Sequence, residues 1–168
     1  RPSPQGKGTE EWAREERYAF LEALAEKEGG IVVTAHTLSD NAETLLFHLA
    51  RGTGLRGLGG IPRHRGIFLR PLLEASREEV EQYCEEKGLS YATDATNLQP
   101  IYARNRLRLE AIPALLSVNS AAQRNMGALM EEMGELYEFV QKEADRLLAR
   151  ALCPGKGYDA AVLAAAPA

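Results

Sequence analysis

Three groups of residues carry side chains that can do chemistry at a useful spacing. The first is His36, Asp40, Glu43 and Thr44, placed just after an apolar run, Ile31-Val32-Val33-Thr34-Ala35. Carboxylates three residues apart share a helical face and can hold a metal ion or an ammonium group. The same pair also has capping-box spacing, with Asp40 as N-cap and Glu43 as its partner, a role that needs no ligand. The second group is Arg51-Gly52-Thr53-Gly54 with Arg56, Gly57, Gly59 and Gly60. Backbone N–H groups in such a loop can approach phosphate oxygens, and an arginine adds a charge-assisted bond; an ordinary flexible loop shares the composition. The third runs from Asp94 to Asn97 and through Tyr102-Ala-Arg104-Asn105-Arg106-Leu-Arg108. On a helix Arg104 and Arg108 share a face and can grip successive phosphates, or can form a solvated basic face.

The elements that must position these groups alternate. A helix is expected from Thr9, a candidate N-cap, to Gly29-Gly30, with Trp12, Ala19, Phe20, Ala23 and Leu24 as its buried stripe. The β-branched run 31–35 reads as a strand buried on both faces. A helix from about Asp40 to Arg51 should turn Ala42, Leu45, Leu46 and Leu49 inward. Ile67-Phe68-Leu69 is a second strand candidate, and Leu89 to Thr93 a third extended segment. Between them, Ser76 and Glu79 have capping-box spacing for a helix to about Lys87, ended by Gly88. Strand and helix alternating over short loops indicate an α/β fold with a parallel sheet. From Ser120 to Arg150 apolar residues recur at helical spacing, and a helix of ~30 residues reaches ~45 Å. The expected division is 1–116 for the α/β part, 117–152 for a long linker helix, and 153–168 for the start of a further domain.

Composition narrows the classes. The 168 residues are 45% hydrophobic and 26% charged, which fits a globular chain and not a disordered one. A net charge of −4 gives no global positive field, so any nucleic-acid contact must come from a local cluster. Cys84 and Cys153 fit no zinc or redox spacing and read as structural thiols. No run approaches the ~20 apolar residues of a membrane span. Arg1 to Gly8 reads as a polar loop, and both ends read as cut.

Taken in order, the motifs resemble the tRNA(Ile)-lysidine synthase family of ATP pyrophosphatases. The likeness rests on Thr34-Ala-His36-Thr-Leu-Ser-Asp40-Asn-Ala-Glu43-Thr44-Leu, then Arg51-Gly52-Thr53-Gly54-Leu55-Arg56-Gly57-Leu58. It continues through Ile61-Pro62, Arg70-Pro71-Leu72-Leu73, Asp94 to Asn97, and Tyr102-x-Arg104-Asn105-x-Leu107-Arg108 with Pro113. It covers residues 9 to 150, and the tail from Tyr158 looks like the opening of the family's next domain. Asn41 stands where glutamine is commoner.

The resemblance implies an adenine nucleotide α hydrolase-like parallel sheet and a two-step reaction. ATP adenylates the C2 oxygen of the wobble cytidine of a tRNA(Ile) with a CAU anticodon, and the ε-amine of L-lysine then displaces AMP. ATP and Mg²⁺ are the implied cofactors, the cytoplasm the implied compartment, and a homodimer a candidate assembly. By the same resemblance Asp40 and Glu43 serve lysine recognition and amine activation, with Asp40 also a candidate Mg²⁺ ligand. His36, Arg51, Gly52, Thr53 and Gly54 face the nucleotide, and Arg104, Asn105 and Arg108 hold tRNA. The family's Ser-Gly-Gly-x-Asp-Ser phosphate loop does not occur in these residues, so the chain alone is expected to be inactive. Two other readings compete: a non-catalytic tRNA-binding module derived from the synthase, and a tRNA thiolation enzyme. The latter generally uses positioned cysteines, whereas Cys84 and Cys153 lie outside every matched motif.

Overall fold

The computed structural model describes residues 9–92, 103–155 and 157–166. The expected Arg1–Gly8 loop, the Asp94-to-Asn97 segment and Tyr102 lie outside them. Contacts divide the chain into two units, Arg1–Asp40 with Ile61–Tyr91, and Asn41–Gly60 with Ala92–Ala168.

The first unit is α/β. Helix α1 (Thr9–Glu28) ends where Gly29 takes φ +64, a left-handed value that glycine adopts without steric cost. Strand β1 (Val32–Val33) pairs parallel with β3 (Phe68–Leu69), and β3 pairs antiparallel with β2 (His64–Arg65) through a hairpin turned by Gly66 at φ +58. The sheet order is β1-β3-β2, so the described sheet is mixed: the expected parallel pairing occurs in one ladder, and the other is antiparallel.

Three packing expectations change. Strand β1 is not buried on both faces, because Ile31 and Val33 are exposed while Val32 between them is half-buried. Its neighbour β3 covers one edge, and only alternate residues turn toward protein. In α1, Ala25 is buried and Trp12, Tyr18 and Leu21 are half-buried; Trp12 keeps its expected place, while the line through Tyr18, Leu21 and Ala25 is one residue out of step with the expected Phe20 and Leu24, which are exposed. The Tyr18 ring fixes that rotation by packing 4.8 Å from Phe68. Leu89 to Ala92 form no strand, and Thr93 lies outside the described residues.

Helix α4 (Arg77–Glu86) follows its sequence closely. Ser76 accepts from the Glu79 N–H at 3.1 Å while Glu79 accepts from the Ser76 N–H at 2.7 Å, a complete capping box. Lys87 is the C-cap, and Gly88 follows at φ +63.

Helix α2 (Leu38–Arg51) begins in the first unit and continues into the second. Ala42 and Leu45 are fully buried and Leu46 half-buried, whereas Leu49 is exposed. The second unit is helical. It contains α3 (Leu55–Leu58), then α5 (Ala103–Arg106), a π-helical turn (Leu107–Ala111) and α6 (Ile112–Val118) as one continuous stretch. Pro113 lacks the N–H that would continue the α ladder, and the Ile112 N–H instead reaches back five residues to Leu107 O. Helix α7 (Ala122–Ala151) is 30 residues long. A hairpin of β4 (Leu152–Cys153) and β5 (Gly157–Tyr158) leads to α8 (Ala160–Ala164), capped by Asp159. No described helix is long and apolar enough to cross a membrane.

Candidate functional site

In the first unit, the end of β1 delivers Thr34, Ala35 and His36 to the start of α2, and Ala35, His36 and Asp40 line an open recess. Thr37 is the residue before α2, and both its N–H (2.9 Å) and its hydroxyl (3.0 Å) donate to Asp40 Oδ2. Asp40 is thus the third helical residue reaching back to the N-cap, and not the N-cap itself. The Leu38 N–H donates to Ala75 O at 2.9 Å, which ties the helix start to the loop before α4. Thr34 Oγ1 lies 2.9 Å from His36 Nδ1. Two polar side chains are thereby oriented into one recess by local bonds.

The same unit holds a buried cation. Arg70 is buried and donates through Nη1 to Pro62 O at 2.7 Å, while its Nε has no hydrogen-bond partner among the described residues. Beside it, burial pushes the Tyr18 hydroxyl pKa up, but the Arg70 hydrogen bond and the charges of Arg14 and Arg70 outweigh this and hold it below 10.0.

In the second unit, Glu43 is only 2% exposed and its carboxylate is gripped by two guanidiniums. Arg108 Nε donates to Oε1 at 2.6 Å, and Arg104 Nε stands 3.9 Å from Oε2. Arg104 also donates through Nη2 to Thr44 Oγ1 at 2.9 Å. Charge-assisted bonds of this kind keep a buried carboxylate tolerable. Glu43 is therefore not the capping partner of Asp40. Three residues from two separate motifs form one cluster with a formal net charge of +1, and Asn105, half-buried, lies on α5 beside them.

The glycine-rich segment divides in two. Gly52 follows α2 at φ +77, and a Cβ there or at Gly54 would meet, among the described residues, no atom within 4 Å beyond its chain neighbours. Gly57, Gly59 and Gly60 are glycines for packing. A Cβ on Gly57 would collide with Thr53 Oγ1, one on Gly59 would lie 3.3 Å from Gly134 Cα on α7, and one on Gly60 would strike Met130 Sδ. Arg51 lies over the Phe47 ring, 4.6 Å from its centroid. His48, which sequence reasoning passed over, stands 2.8 Å from Gly57 O through Nδ1. A carbonyl only accepts, so His48 carries its proton on Nδ1 and pins the loop. A lone histidine inside an apolar helix face carries no sequence signal for that bond.

Among the described residues no group of three His, Cys, Asp or Glu side chains could hold a metal ion. Asp40 offers one carboxylate in an open recess, which suits a Mg²⁺ whose remaining ligands are phosphate and water oxygens. Cys84 and Cys153 are both unpaired in disulfides and half-buried.

Comparison with known proteins agrees with the motif order. Residues 2–115 match the family described as the PP-loop domain. A tRNA(Ile)-lysidine synthase of Clostridium perfringens is 41% identical over 145 residues, covering 84% of this chain and 31% of that protein. One of Symbiobacterium thermophilum is 43% identical over 145 residues, covering 83% and 29%. One of Parasynechococcus marenigrum is 38% identical over 167 residues, covering 94% and 49%. The chain thus spans between about a third and a half of the length of these relatives. With well over half of its residues inside the matched region, the chain belongs to the PP-loop domain family, and proteins named tRNA(Ile)-lysidine synthase are its relatives.

Proposed function

We propose that this chain forms part of an ATP-dependent enzyme joining L-lysine to the wobble cytidine of a tRNA(Ile) with a CAU anticodon. The observation that carries this reading is the likeness to lysidine synthases at 35–43% identity across the stretch holding all three motifs. In the first step the cytidine C2 oxygen attacks the α-phosphorus of ATP and pyrophosphate leaves. In the second, the neutral ε-amine of lysine attacks C2 and AMP leaves.

The geometry supports a revised division of roles. Asp40, exposed to an open recess, is the carboxylate suited to binding the lysine ammonium and taking its proton, with His36 beside it. Glu43 is held by Arg104 and Arg108, so its role is to position those arginines. The cluster's excess positive charge, with Asn105, suits a phosphate of the tRNA backbone. Arg51 and the backbone at Gly52, Thr53 and Gly54 suit the nucleotide, since among the described residues nothing but their chain neighbours lies within 4 Å of a Cβ built at Gly52 or Gly54. A Mg²⁺ ion on Asp40 would neutralise phosphate charge. An enzyme acting on tRNA in this way works in the cytoplasm.

The test is lysine incorporation into a tRNA(Ile) transcript by the intact protein that contains this chain. Asp40→Asn should lower kcat/KM for lysine by at least about a hundredfold while tRNA affinity is kept. Unchanged lysine kinetics would remove Asp40 from this role. Failure of the unsubstituted protein to incorporate lysine, while it still binds the tRNA, would favour a non-catalytic tRNA-binding module.

A further inference from the structure

We propose that Arg70, Arg14 and the Tyr18 hydroxyl form a subsite for a small oxyanion, the phosphate or carboxylate group of a substrate or product. The subsite lies at the end of the ladder joining β1 and β3. These strands run parallel with Val33 opposite Leu69, so both end on the same edge of the sheet. Open α/β sheets hold their ligands outside the carboxyl ends of such strands. At that edge Thr34 follows β1 and Arg70 follows β3, and the Thr34 N–H donates to Leu69 O at 2.9 Å. The Arg70 N–H donates to Arg63 O at 2.9 Å, which carries the ladder with β2 one residue further. Arg70 therefore keeps the face of Phe68, two residues earlier, and Tyr18 of α1 packs on that face.

The cluster has the composition of an anion site. Arg70 is 3% exposed, yet among the described residues no carboxylate pairs with it and its Nε has no hydrogen-bond partner. A buried guanidinium is ordinarily matched by an anion, since its lost hydration is otherwise uncompensated. The nearest second charge has the same sign. The Arg14 guanidinium stands 5.5 Å from the centre of the Tyr18 ring, and the charges acting on the Tyr18 hydroxyl are those of Arg14 and Arg70. The two arginines also differ in freedom. Arg70 is fixed by its 2.7 Å bond to Pro62 O, whereas Arg14 is exposed and sits one helical turn before Tyr18. A fixed fork, an exposed second fork and a phenol that donates one hydrogen bond together match the oxygens of a phosphate or a carboxylate. None of the three side chains has a part in the lysine, nucleotide or tRNA assignments above, so the subsite stands whichever substrates the enzyme joins.

Tyr18 itself reports on the subsite. An anion between the two arginines cancels the charges that favour the phenolate, so at the pH where Tyr18 is half ionised a bound anion should return its proton. The assay is the loss of phenolate absorbance in the intact protein that contains this chain, with Tyr18→Phe subtracted, on adding inorganic phosphate, L-lysine or cadaverine. Sodium chloride of equal ionic strength is the blank. Phosphate acting at up to about 10 mM supports the subsite and assigns it to phosphate compounds. Lysine acting where cadaverine, which lacks the carboxylate, does not act supports it and assigns it to carboxylates. Arg70→Lys, which keeps the charge and loses the fork, should raise the Kd of the active anion at least about tenfold. Arg14→Gln, a change at an exposed position that leaves folding intact, should raise it at least about fivefold. If no oxyanion moves Tyr18 beyond the chloride blank, or if cadaverine matches lysine while phosphate is inert, the proposal is overturned. An unchanged Kd in Arg14→Gln overturns it equally, because the anion then binds elsewhere.

Discussion

Replacing Glu43 by glutamine keeps the shape of the side chain and removes its charge. The carboxylate is 2% exposed, bonded at 2.6 Å by Arg108 and approached at 3.9 Å by Arg104. Removing one member of a buried pair typically costs about 3–5 kcal/mol, because the remaining charge stays in a poor environment. Here the arginine side chains are 28% and 37% exposed, so water recovers part of that loss. The expected cost is about 2–3 kcal/mol. With a urea slope of about 2 kcal/mol per molar, the unfolding midpoint should fall by about 1–1.5 M. Arg108→Met alone should also destabilise, and the double variant should be more stable than the sum of the singles predicts by at least about 1 kcal/mol. Additive effects, or a Glu43→Gln midpoint within about 0.2 M of the original, would falsify the view that this carboxylate holds the arginines in place.

The glycines should sort by substitution. Gly60→Ala, strained at φ +65 and blocked by Met130, should cost about 2–4 kcal/mol in urea unfolding, whereas Gly52→Ala, strained but unobstructed, should cost about 1–2. Equal costs would show that packing against α7 does not distinguish them. Tyr18 should be the source of the earliest phenolate absorbance in an alkaline titration, lost in Tyr18→Phe. Because its folded pKa lies below 10.0, the stability its ionisation contributes is present above that value and disappears as pH falls through the folded pKa, so none remains at neutral pH. Stability that changed with Tyr18 ionisation near neutrality would contradict this sign. Finally, the 168 residues hold no Ser-Gly-Gly-x-Asp-Ser run, and the chain by itself should release no pyrophosphate from ATP in the presence of tRNA and lysine; measurable turnover would refute this.

What could be read from the sequence was what depends on near neighbours. Ser76, Glu79 and Gly88 declared the ends of α4 because caps are made within a few residues. The long periodicity that became α7 is local in the same sense. The partner of Glu43 is 65 residues away, so its spacing from Asp40 offered a capping role or a shared ligand and could not reveal an arginine grip. Glycine composition likewise concealed two causes, since nothing in the string separates Gly60, pressed against Met130, from Gly52, which is not. Strand β1 shows the opposite error: a continuous apolar run implied two covered faces, and one of them is open.

The π turn at Leu107–Ala111 has a consequence for how this stretch can change over generations. Such a turn holds one more residue than an α turn spanning the same length. Deleting any single residue there would let the helix close regularly and would swing Arg104 by about 100° relative to α6. Point changes at Leu109 or Glu110, both exposed, leave that geometry alone. Selection on this stretch therefore acts on its length before its letters, and insertions and deletions should be purged from it sooner than substitutions.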